Sequence, residues 1–134
     1  MAALRGHHLI CLHFYHGEGY DEAFIRNLER VMENAGTEGV LVASGPDDIC
    51  LSCLHLREGL CMATPGAEQE IREMDRKALE LLDLTPGMRA GWAAIEDRIP
   101  ALFRLWYDCF CRDCGWRGSC EKDRGFLLLK AANP

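Results

Sequence analysis

The chain has 134 residues, 49% of them hydrophobic and 27% charged, a composition that excludes a disordered segment and fits one ordinary folded domain over residues 1–134. Its net charge of −6 argues against general nucleic-acid binding, which needs a basic footprint. No stretch approaches the ~18–20 apolar residues of a membrane span, and the apolar part of Met1–Tyr15 is broken by His7, His8 and His13, unlike a secretory signal. The expectation is a cytoplasmic protein with no membrane or nucleic-acid partner.

In chain order, Asp21 is a helix N-cap, with Tyr20 and Ile25 placed as a hydrophobic staple. Phe24, Leu28, Val31, Met32 and Ala35 recur at helical spacing, and Gly36 is the expected stop. Val40–Ala43 reads as a short strand, after which Pro46-Asp47-Asp48 begins a turn or short helix carrying Cys50 and Cys53. A helix is expected from about Pro65 to Leu82, capped by Thr64, with Ile71, Met74, Ala78 and Leu81 on one face. Thr85-Pro86-Gly87 repeats the same punctuation and should open a helix through Trp92 and Ile95, which Pro100 breaks or kinks before Cys109. Phe126–Ala131 reads as a terminal strand or helix. The fold class expected is mainly α, with α+β as the alternative: a small single-domain helical protein with one or two short strands and cysteine-rich metal-binding loops.

Eight cysteines carry the chemical signal. One group is Cys50-x2-Cys53-x7-Cys61, and the other is Cys109-x-Cys111-x2-Cys114-x5-Cys120. Cys11 stands apart beside His7 and His8. A C-x2-C pair lets two thiolates converge on one ion while the backbone between them turns back. In an intracellular chain, that reads as metal or iron–sulfur ligation before disulfides. An iron–sulfur cluster takes four thiolates, and structural zinc takes four ligands from Cys and His. Cys50, Cys53 and Cys61 supply three. The fourth is open among Cys11, His7, His8 and His55, or is left vacant for substrate. The second group can stand alone, although Cys109 and Cys111 point oppositely if the backbone there is extended. Trp116 reads equally as a shield for a cofactor or as ordinary core.

In Arg5-Gly6-His7-His8-Leu9-Ile10-Cys11-Leu12, adjacent histidines on regular backbone cannot both face one point, so one would ligate or move protons while the other packs. Gly6 would permit close backbone approach. Asp47 and Asp48 read as caps for the short helix leading to Cys50, or as hydrogen-bond acceptors for the histidines. A Cys11 nucleophile paired with His7 or His8 lacks any visible orienting group. From Arg98 to Pro134 the chain carries seven Lys and Arg against four Asp and Glu, a basic rim suited to an anion or acidic partner or to no partner at all.

Arg5-Gly6-His7-His8-Leu9 with Cys11-Leu12, Gly17-x-Gly19-Tyr20 and Phe24 resembles the opening of a family of short bacterial and archaeal proteins, the domain-of-unknown-function family twelve eighty-four. The resemblance continues through Gly45-Pro46-Asp47-Asp48-Ile49-Cys50-x2-Cys53 to Cys61, and through Cys111-x2-Cys114-x-Trp116-x3-Cys120. It implies iron–sulfur binding and the ligand set Cys11, Cys50, Cys53, Cys61, Cys111, Cys114 and Cys120, without implying a reaction. Leu54 stands where the family often has proline, and Cys109 lies outside the pattern.

Seven cysteines are one short of two all-cysteine sites. Either a histidine completes the second site, one iron is open, or a single site draws on both groups. The favoured arrangement is one cluster, [4Fe–4S] rather than zinc, on Cys50, Cys53 and Cys61 plus Cys11 or a member of the second group. Otherwise Cys111, Cys114 and Cys120 form their own metal site. The expected role is electron transfer or redox support to a partner protein. The alternatives are a zinc-stabilised binding module and an open-site metal hydrolase or lyase near His7 and His8.

Overall fold

The computed structural model describes residues 1–15, 21–45, 47–50, 56–57, 60–61, 67–114 and 117–132. The chain starts with strand β1, Ala2–Arg5, and passes at once into the short helix α1, Gly6–Cys11. Helix α2, Glu22–Glu38, then returns the chain to β2, Val40–Ala43, which pairs in parallel with β1 from Ala2 against Val40 to Arg5 against Ala43. Two-residue strands β3 (Leu56–Arg57) and β4 (Leu60–Cys61) form a separate antiparallel pair. Helix α3 (Ala67–Leu82) precedes β5 (Arg89–Ala90), which joins the other edge of β2 antiparallel, so the main sheet runs β1-β2-β5. Helices α4 (Trp92–Trp106), α5 (Arg117–Cys120) and α6 (Arg124–Ala132) complete the described chain, confirming a mainly α fold with a small sheet.

Local sequence explains most boundaries. Asp21 caps α2 by accepting the Phe24 N–H at 2.8 Å. The helix runs past Gly36, contrary to expectation, and stops at Gly39, whose φ of 84° a residue with a side chain adopts poorly. A Cβ there would also meet the Ala90 carbonyl at 2.9 Å, so β5 and Gly39 fit only because the side chain is absent. The helix expected to begin at Thr85-Pro86-Gly87 begins instead at Trp92. Gly87, at φ 90°, turns the chain so that its N–H reaches the Val42 carbonyl at 2.9 Å and β5 can pair. Pro100 does not break α4. The carbonyl its ring strips of a partner belongs to Glu96, and both residues face solvent, where water can take the hydrogen bond. The α3 helix ends at Leu82 as expected; Thr64, Pro65 and Tyr20 lie outside the described residues.

The core joins Leu4, Val40 and Val42 of the sheet to Leu9 and Ile10 of α1, Leu82 of α3, Ile99, Phe103 and Trp106 of α4, and Phe126 of α6. Two contacts within it set up the functional region. Helix α1 lies directly on the α3 backbone at Gly6, where a Cβ would sit 2.4 Å from the Asp75 carbonyl oxygen. That glycine is what lets α1 and α3 touch. At the other end of α1, the rings of Phe14, Phe103 and Phe126 meet edge to face at 5.3–6.0 Å. This triangle draws the end of α1, α4 and α6 together, and with them Cys11, Cys111 and Cys120.

Candidate metal centre

The Arg5-Gly6-His7-His8 stretch spans the junction of β1 and α1, so its polar groups meet elements on two sides. As the free edge of the main sheet, β1 needs partners for its outward N–H groups. Asp47 and Asp48 supply them. Asp48 Oδ2 accepts the Ala3 N–H at 2.9 Å, and Asp47 Oδ2 accepts the Arg5 N–H at 2.7 Å. Asp47 Oδ1 accepts the N–H groups of Ile49 (3.0 Å) and Cys50 (3.1 Å), capping the turn that carries Cys50. Its Oδ2 also pairs with His8 Nδ1 at 2.7 Å. Asp47 thus does both jobs expected for the Asp-Asp pair. Burial would raise its pKa, but His8 and the backbone N–H groups of Arg5 and Cys50 together hold it far below the usual carboxylate range.

Asp75 of α3 does the same for the neighbouring histidine. Its Oδ1 receives the His7 N–H at 2.9 Å and lies 2.7 Å from His7 Nδ1, while Oδ2 accepts Arg5 Nε at 2.7 Å. The two imidazoles sit with centroids 4.2 Å apart, yet each is aimed by a different carboxylate. Arg5 is only 1% exposed and reaches Glu68 Oε2 at 3.3 Å as well as Cys50 Sγ at 3.9 Å. Burial works against its charge, but Asp75 and Cys50 outweigh that and keep it protonated. Burial and then the Asp47 charge push the Cys50 thiol up to about 12. One ligand atom from each of His8, Asp47 and Cys50 lies within 4.8 Å of the others. Cys53, His55 and the side chain of Cys61 lie outside the described residues, as does Trp116; β4 fixes only the Cys61 backbone.

A second constellation forms at the opposite end of α1. Cys111, Cys120 and Cys114 lie within electrostatic range of Cys11, so that their ionisation would raise its thiol. Burial, reinforced by those sulfurs, holds the Cys11 thiol well above its usual range, and likewise pushes Cys111 to about 12 and Cys120 to about 11. Cys111 reaches this group because α4 relaxes into a π-helical turn over Tyr107–Cys111, closed by the Arg112 N–H on the Tyr107 carbonyl at 3.0 Å. Such one-turn π segments often mark functional sites. Cys120 closes α5, immediately ahead of the α6 helix that Phe126 anchors. Between the two fixed points Cys114 is exposed, and Cys109 is also exposed. Cys11, one of the candidates for the fourth ligand of the first group, therefore lies nearer the second group.

Trp106 of α4 adds a feature the residue pattern did not reveal. It is 1% exposed, and its indole N–H has no hydrogen-bond partner at normal distance among the described residues. The same N–H lies near enough to Cys11 to favour a thiolate there. A buried donor left without an acceptor costs about 1–3 kcal/mol, and a thiolate or sulfide at this position would supply the acceptor. Asp75 and Glu68 also escaped sequence reasoning. On α3 they look like any other acid of a solvated helix, the one hint being that Asp75 adjoins the apolar positions Met74 and Ala78.

A profile of the family described as Protein of unknown function (DUF1284) matches residues 19–120. The chain belongs to that family. The DUF1284 match takes in the first cysteine group and ends on Cys120, while the Arg5–Leu12 stretch lies ahead of it. No curated protein and no solved structure was found to match the chain. Among the described residues, no helix is long and apolar enough to cross a membrane.

Two partly buried histidines make the fold sensitive to acid. Burial, then the charge of His8, lowers His7 to about 4. Burial also lowers His13 to about 4; its ring stacks on Trp92 at 4.0 Å, and its buried Nε2 has no partner among the described residues to share an added proton. Unfolded, both would titrate near 6.5, so between 6.5 and about 4 the unfolded chain binds more protons than the folded one. Stability therefore rises with pH across that window, by up to about 1.4 kcal/mol per pH unit for each histidine. Urea titrations of metal-free protein at pH 7 and pH 5 should show the lower midpoint at pH 5, and equal midpoints would contradict this account.

Proposed function

We propose that the protein binds an iron–sulfur cluster, [4Fe–4S] for preference, on Cys11, Cys111, Cys114 and Cys120, and serves as a cytoplasmic electron carrier or redox accessory. The observation that carries this reading is that Cys111, Cys114 and Cys120 lie within electrostatic range of Cys11, beside an indole N–H with no other acceptor among the described residues. When bound, the cluster would supply a one-electron redox centre. The protein's part is to hold it. The aromatic triangle fixes Cys11 and Cys120, the π-helical turn presents Cys111, and Trp106 offers a hydrogen bond to sulfur, one of the levers that set cluster potentials.

A cluster asks less closeness of its sulfurs than a single ion does. Zinc at about 2.3 Å from each of four sulfurs brings those sulfurs within about 4 Å of one another. Among the described residues, the group of three or more metal-binding atoms within 4.8 Å of each other is His8, Asp47 and Cys50, not the cysteine quartet. A cluster, whose irons are separated by bridging sulfides, spreads its thiolates farther apart.

Cys114 brings one corner of the quartet to the surface, and Arg112 and Arg117 flank it in sequence. A partner protein exchanging electrons there would present an acidic face, and association would weaken with salt. The competing reading is zinc that only stabilises the fold. Protein purified without oxygen should be brown and absorb near ~400 nm if the cluster is present, whereas zinc would leave it colourless.

A further inference from the structure

With Cys11 given to the quartet, as proposed above, the first cysteine group takes its partner elsewhere, and the fold brings a ring nitrogen of His8 within 4.8 Å of Cys50 Sγ. We infer that His8 and Cys50 are ligands of a second metal site, for a divalent transition ion, with His8 binding through Nε2 and Asp47 acting as its orienting carboxylate.

The hydrogen bonds assign these roles. Asp47 cannot be the ligand, because its two oxygens already serve four N–H groups: Ile49 and Cys50 on Oδ1, Arg5 and His8 on Oδ2. Moving either oxygen onto a metal would strand buried donors. Bonded in this way, Asp47 fixes the His8 ring and places the proton on Nδ1, so that the Nε2 lone pair is the one presented. A histidine whose other nitrogen is held by a carboxylate is the usual form of a metal-binding imidazole. The same bonds locate Cys50, whose N–H is tied to the carboxylate that aims His8. The Arg5 guanidinium, 3.9 Å from Cys50 Sγ, stabilises the thiolate formed when metal displaces the thiol proton. His7 takes another part. Its Nδ1 is committed to Asp75, which Arg5 also holds, and it lies outside the three-residue group. It is a positioning residue that ties α1 to α3. A thiolate with an imidazole suits zinc or iron(II), and hard ions that prefer oxygen do not fit.

On α1, His8 and Cys11 are three residues apart, so their Cβ atoms are about 5–6 Å apart on one face. One short helix thus delivers a ligand to each of two centres. The second site does not depend on what the quartet binds, and its test removes the quartet. Full-length protein carrying Cys111→Ser and Cys120→Ser is made metal-free and titrated with Co(II). It should take up one equivalent and develop thiolate-to-cobalt charge-transfer absorption. In that background His8→Gln should weaken cobalt binding at least ~10-fold, and His7→Gln should change it less than ~3-fold. In the chain with all its cysteines, which guards against a folding defect of the double variant, His8→Gln should lower thiolate-bound cobalt by one equivalent. Absence of the charge-transfer absorption in the double variant, or equal effects of the two histidine substitutions, would overturn the assignment.

Discussion

Replacing Cys111 by serine should abolish the absorption near ~400 nm of oxygen-free protein, while replacing Cys109 by serine should leave it unchanged. The two residues are separated by Phe110 alone, so a test that separates them measures geometry and not cysteine content. The π-helical turn holds Cys111 where burial and the sulfurs of Cys114 and Cys120 raise its pKa to about 12. Cys109 lies on the exposed side of the same turn. The raised thiols of Cys11, Cys111 and Cys120 are unfavourable to ionise in the empty protein. Metal binding reverses that, because the bound centre takes all four as thiolates and releases their protons. Losing one of four ligands should therefore remove the cluster and also lower the melting temperature of the loaded protein. Equal loss of absorption in both variants would contradict the placement of Cys111.

The second large effect is expected at Arg5. Arg5→Met keeps much of the side-chain length and removes the charge, and should destabilise the protein by about 3–5 kcal/mol. That magnitude follows from burial. The guanidinium is 1% exposed, and Glu68 and Asp75 are only 14% and 13% exposed, so neither solvent nor salt can replace it. Asp75 would be left with the two N–H groups of His7, and Cys50 would lose the cation beside its sulfur. Comparison by urea denaturation of metal-free proteins isolates this term from metal binding. A loss below ~1 kcal/mol, the value of a surface ion pair, would show that the network carries no such weight.

How much of this was readable from sequence depends on the range of each interaction. Helix α2, its Asp21 cap and strand β2 follow from local periodicity and capping, and all form as expected. Gly36 misled because a glycine exposed on a helix is tolerated at about 1 kcal/mol, whereas Gly39 is required by both its positive φ and the close approach of Ala90. Strand β1 was missed because Ala2–Arg5 has no pattern of its own, and its parallel partner is supplied by β2 across two helices. Within the site, the value of Gly6, His7, His8, Asp47 and Cys11 was legible because rare residue types cluster there. Which cysteine joins which group was not, because a ring contact between Phe14, Phe103 and Phe126 decides it. Adjacent histidines were expected to diverge. They do so in their hydrogen bonds, to Asp47 and Asp75, while their rings stay together.

The central claim is that the quartet of Cys11, Cys111, Cys114 and Cys120 holds an iron–sulfur cluster. Its most direct test is to quantify iron, acid-labile sulfide and zinc in the full-length protein purified and kept without oxygen. Iron and sulfide are expected in comparable amounts, both lost in the Cys111→Ser variant. Stoichiometric zinc with no sulfide would contradict that claim.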